Sequence, residues 1–67
     1  MDNNKAVSAI AEYNRLIDEQ KRKQQELTKA FKEGEISQAE YYKDMAQSKE
    51  MTKTYSRQVI SKISFLI

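Results

Sequence analysis

Gly34 is the only glycine in a chain of 67 residues, it lies at the midpoint, and no proline occurs anywhere. The run around it, Lys32-Glu33-Gly34-Glu35-Ile36-Ser37-Gln38-Ala39-Glu40-Tyr41, carries a helix stop followed at once by a helix start. A residue without a side chain suits the left-handed position just past a helix end. Ser37 and Glu40 have the S-x-x-E spacing of a capping box, which satisfies orphan N–H groups at a helix start. Ile36 and Tyr41 are spaced to form a hydrophobic staple across that start. The chain is therefore expected to fold back on itself at Gly34.

The two arms carry matching patterns. From about residue 4 to 33 a stripe runs at alternating spacings of four and three: Ala6, Ile10, Tyr13, Ile17, Gln20, Gln24, Leu27, Phe31. From about 37 to 66 a second runs Tyr41, Met45, Ser48, Thr52, Tyr55, Val59, Ile63, Leu66. Each is apolar except for its two central members. Alternating three-four spacing is the seam of left-handed helix packing, as in coiled coils. The expected fold is all-α: an antiparallel two-helix hairpin forming one domain over residues 1–67, assembling into a four-helix bundle or higher oligomer. Folding at Gly34 pairs positions whose numbers sum to roughly 70, so Gln20 and Gln24 meet Ser48 and Thr52 at mid-length. That polar waist is either a solvated, loosely packed stretch or a set of hydrogen bonds across an oligomer core that fixes register.

Composition narrows the function. Twelve Lys and Arg against ten Asp and Glu leave a net charge of +2, too little to argue for nucleic acid or a membrane surface. Cysteine and histidine are absent, which removes disulfides, thiolate nucleophiles and the usual transition-metal ligands. No cofactor and no metal site is expected. The remaining candidates for chemistry sit on helical positions without a glycine-rich phosphate loop, so the chain is expected not to be an enzyme. No apolar run follows Met1-Asp2-Asn3-Asn4-Lys5, and the apolar stretch Val59–Ile67 is too short to span a bilayer. A cytoplasmic protein, or one exported without a cleaved signal, is the expectation.

The open end of the hairpin carries more apolar residues than one seam can use. Val7, Leu16, Ile60, Phe65 and Ile67 lie beside or off the stripes. Burying five such side chains is worth on the order of 7–15 kcal/mol, more than an isolated hairpin's whole stability. Self-association is therefore expected, with Val7, Ile10, Leu16, Val59, Ile60, Ile63, Leu66 and Ile67 as contacts; the alternative is a C-terminus that stays unstructured.

Two further sets of residues are candidates for ligand or partner binding. Tyr13 and Arg15 lie level with Tyr55 and Arg57, a band able to grip phosphates or bases, although Arg15 can instead pair with Asp18 or Glu19 on its own helix. Lys21-Arg22-Lys23 is a basic triplet at the waist, interleaved with Glu19 and Glu26. Small RNA-binding bundles of the plasmid copy-control Rop type use such faces, but a solvated face is the simpler expectation and nucleic acid is not the expected partner.

The run Leu27…Gly34-Glu35-Ile36-Ser37-Gln38-Ala39-Glu40-Tyr41…Met45 resembles the SHOCT (short C-terminal domain) pattern, an apolar residue followed by G-x-[IL]-[ST]-x-x-E-[FY] and a further apolar position. The resemblance covers residues 27–45 and implies a role in oligomerisation. The length and the course of the second arm, from Tyr41 to a Val/Ile-rich end, are similar to type III secretion needle subunits and their hairpin chaperones. The Pro-containing turn of those subunits is missing here. The chain also looks like small phage or plasmid inhibitors that occlude a host protein or sequester a small anionic ligand. The expected function is thus an interaction and assembly module acting by self-association and protein binding, with the inhibitor, needle or chaperone, and RNA-binding bundle as alternatives.

Overall fold

The computed structural model describes residues 3–66, the side chains of Asn3 and Phe65 excepted. They form two helices, α1 (Asn3–Lys32) and α2 (Gln38–Leu66), packed against each other as a hairpin with no strand among the described residues. Both boundaries fall within about one residue of those the capping signals specify.

The bend works as its residues dictate. Gly34 has φ of +76°, and the chain end of α1 closes in a Schellman motif: Glu35 N donates to Ala30 O at 2.8 Å and Gly34 N to Phe31 O at 3.0 Å. Lys29 and Lys32 lie in the last turn of α1 and Glu40 in the first turn of α2, each suited to the local helix dipole. Ser37 caps α2 by accepting the Glu40 N–H at 3.1 Å. Only this half of the expected capping box forms: among the described residues the Ser37 N–H makes no return donation to the Glu40 carboxylate.

The seam then runs in layers. Next to the bend, the Phe31 and Tyr41 rings stack with centroids 4.5 Å apart and planes 13° apart, and Thr28 Oγ1 lies 3.4 Å from Tyr41 Oη. At the open end the Tyr13 and Tyr55 rings meet with centroids 6.0 Å apart. Both layers obey the pairing expected from a fold at Gly34.

The middle layer is more tightly bonded than a solvated waist would be. Ser48 is 1% exposed, the most deeply buried described residue. Its Oγ donates to Gln20 Oε1 at 2.7 Å and accepts from Gln24 Nε2 at 3.2 Å. Gln24 Nε2 also lies 3.4 Å from Thr52 Oγ1. The waist is therefore a hydrogen-bond network within one hairpin and not a loosely solvated stretch. Thr52 and Thr28 reinforce it by donating to the carbonyls of Ser48 and Gln24, one turn earlier on their own helices, at 3.0 Å each.

Only Ala6 and Ser48 are buried among the described residues, Ser48 alone completely. A single seam can cover small side chains completely. Leu27, Phe31, Tyr41, Met45 and Val59 stay half-buried because no third layer lies over them. The molecule is accordingly a rod of 51 × 14 × 12 Å with a radius of gyration of 15.3 Å, against about 11 Å for a compact domain of this length.

Candidate interaction surface

The touching pairs of the seam fix which residues share each broad side of the rod. Gln20 bonds Ser48, Tyr13 meets Tyr55, and Thr28 meets Tyr41. Advancing one residue turns a helix by about 100°. Because the helices are antiparallel, that step brings both partners of a pair to the same broad side. Two lines of positions spaced by sevens result: Val7, Asn14, Lys21, Thr28 on α1, and Tyr42, Lys49, Ser56, Ile63 on α2. By this geometry Val7 stands level with Ile63, Asn14 with Ser56 and Lys21 with Lys49, while the Thr28 hydroxyl turns into the seam toward Tyr41. A shallow groove lined by Lys21, Gln24, Gln25, Thr28 and Met45 opens on this side.

Exposed apolar side chains concentrate here. Val7 is 55% exposed, Tyr42 59%, Ile60 63% and Ile63 42%, and all four belong to this side by helical position. Leu66, 39% exposed, ends the seam itself. Of the residues expected to make oligomer contacts, Val7, Ile60, Ile63 and Leu66 are thus open to solvent. Ile10, Leu16 and Val59 are half-buried, and Ile67 lies outside the described residues.

The proposed anion-binding band is only partly assembled. Tyr13 and Tyr55 are in contact, but Arg15 is engaged elsewhere, forming ion pairs with Glu12 and Glu19 on its own helix. The hydrogen bond from Arg15 holds the Glu12 carboxyl below the usual range for a glutamate, and the same bond makes Arg15 hold its proton more tightly. Glu12 rather than Asp18 is the second partner because Glu12 and Glu19, seven apart, lie on the same flank of Arg15. Asp18 lies on the other flank. Arg57 is exposed and makes no ion pair among the described residues.

Lys21, Arg22 and Lys23 are all exposed, but they form no common patch. Lys21 lines the groove, Arg22 points outward, and Lys23 falls on the opposite broad side beside Glu19 and Glu26. Lys21, Lys49 and Lys53 instead share one broad side by helical position, a relation that the seven-residue spacing of Tyr42, Lys49, Ser56 and Ile63 signals for Lys49 alone.

No group of carboxylates able to hold a metal ion is present among the described residues, and none of their helices is long and apolar enough to cross a membrane. No protein family, curated protein or solved structure matches the chain.

Proposed function

We propose that this chain is a non-enzymatic interaction and assembly module, a two-helix rod that self-associates through its open end and binds a protein partner along its side. The observation that carries the reading is the exposure of Val7, Ile60, Ile63 and Leu66 together at the end remote from Gly34. Its accessible surface of 5157 Å² exceeds the about 4,400 Å² of a compact monomer of this mass. The excess approaches the roughly 800 Å² per partner that a standard protein interface covers.

Sedimentation over about 10 µM to 1 mM tests self-association, a range suited to a weak interface. The expected result is a mass that rises with concentration, and a return to monomer in the pair Ile60→Ser, Ile63→Ser with helicity retained. A well-folded monomer throughout that range overturns the self-association reading.

A further inference from the structure

We propose that the valley running from Tyr42 to Lys53 is the docking site for an acidic amphipathic helix of a protein partner, laid between α1 and α2 as a third helix. The proposal rests on the interaction-module reading and names the class of partner; it does not depend on self-association.

The argument begins with Lys21 and Lys49. They directly follow Gln20 and Ser48, which are hydrogen-bonded across the seam, so the two residues stand at the same level on neighbouring helices and on one side. Lys53 continues the row one turn further along α2. Opposed like charges raise the free energy of the hairpin unless a counter-charge lies between them. The chain supplies none. The ion pairs of the described residues are those of Arg15, on the other side of α1, and no carboxylate occupies either line of positions bordering the valley. Asp18, three residues before Lys21, and Glu50, three before Lys53, lie on the outer flanks of their helices and make no ion pair with these lysines. The side is left basic although the whole chain is close to neutral.

The surroundings of the lysines select a helix as the occupant. The groove floor is made by Gln24, Thr28 and Met45, all half-buried, and exposed Tyr42 belongs to the same broad side by helical position. The amide of Gln24 and the hydroxyl of Thr28 are already held inside the seam. They need nothing from a ligand and leave Met45 and the Tyr42 ring as the apolar contacts. A groove between two helices with apolar contacts on its floor and charges along its length is the setting in which amphipathic helices bind. Glutamates flanking an apolar stripe on the incoming helix meet Lys21 from one side and Lys49 and Lys53 from the other.

A second copy of this chain does not fit the valley. Any two-fold pairing of this side along its full length sets mid-length against mid-length, and mid-length is where the three lysines lie. Self-association is thereby confined to the apolar open end, which leaves the valley free. A lipid surface fits less well, because the lysines interrupt the apolar residues along this side instead of flanking them as in interfacial helices.

The test uses the full chain, labelled with ¹⁵N and titrated with a synthetic amphipathic helix about three heptads long, with Leu at the seam positions and Glu at the flanks. Matched peptides carry Lys or Gln at the flanks. The expected result is saturable binding of the Glu peptide, with amide shifts concentrated at Lys21, Thr28, Met45, Lys49 and Lys53. Affinity should fall as salt rises from roughly 0.05 to 0.5 M. Lys21→Gln, Lys49→Gln and Lys53→Gln together should weaken binding by about tenfold or more at unchanged helicity, while Lys23→Gln on the opposite side leaves it unaltered. No saturation, equal binding of the Lys peptide, or an equal loss from Lys23→Gln overturns the proposal. So does saturation by anionic vesicles or an RNA hairpin with the Glu peptide inert. Each of these leaves the sedimentation result for the open end untouched.

Discussion

Ser48 Oγ donates to Gln20 Oε1 at 2.7 Å across the seam, and Ser48 is the most buried of the described residues. A polar side chain thus occupies the position where apolar patterning would place leucine. Replacing it with leucine is expected to destabilise the fold by about 1–3 kcal/mol, since the larger side chain forces the helices apart and breaks the network. Ser48→Ala is expected to cost about 1 kcal/mol, because half-exposed Gln20 can turn to water. Urea unfolding of both variants, with a double-mutant cycle to Gln20→Ala, measures the coupling. A more stable Ser48→Leu monomer is the contrary outcome.

Gly34 presents an uncluttered case of backbone preference. A Cβ built there meets nothing within 4 Å, so Gly34→Ala introduces no clash and its whole effect is the cost of φ at +76°. That cost is expected to be about 1 kcal/mol, with Gly34→Asn losing less. Thermal unfolding measures it. Association through the open end should be unchanged once both proteins are fully folded.

The aromatic layer next to the bend should be energetically coupled. Phe31 and Tyr41 stack at 4.5 Å, and a cycle of Phe31→Leu and Tyr41→Leu should return about 0.5–1.5 kcal/mol beyond the loss of area. Tyr13 and Tyr55, at 6.0 Å and tilted 35°, provide an internal comparison at the other end of the seam.

Acid should weaken the pairing of Arg15 with Glu12 only as pH falls through the lowered Glu12 value. Glu12 has its pKa lowered in the folded chain by the hydrogen bond from Arg15. A carboxyl with a lowered folded pKa contributes stability above the unfolded pKa and loses it as pH falls through the folded value. An NMR titration of the Glu12 carboxyl should therefore show a midpoint below that of a model glutamate, restored to the model value in Arg15→Ala. Added salt should bring the two proteins together, since the pair is fully open to solvent.

The bend and the seam were legible in the sequence because their causes are local. Gly34, Ser37 and the three-four spacing act through backbone geometry that neighbours in sequence determine. The two-helix seam followed from matching stripes with a single turn between them. The hydrogen-bonded waist was harder to see, since periodicity scores Gln20, Gln24, Ser48 and Thr52 as gaps and says nothing about whether their donors and acceptors find each other. Lys21, Lys49 and Lys53 were harder still. Their grouping depends on which flank of α1 shares a side with which flank of α2, and that is a property of the folded pair. Consecutive Lys21, Arg22 and Lys23 looked like a patch in sequence, but helical rotation of about 100° per residue disperses them.

The doubling of the chain at Gly34 grades the seam by the length of chain each contact encloses. Thr28 and Tyr41 close a segment of 13 residues, Gln20 and Ser48 one of 28, and Tyr13 with Tyr55 a longer one again. Closure entropy rises with that length, so order is expected to spread from the bend outward, with the level of Val7, Ile63 and Leu66 closing last. Whatever grips those residues holds the two chain ends together, and its binding energy is added directly to closure of that level. Hydrogen exchange slowed most near the open end on association would be the signature of that arrangement.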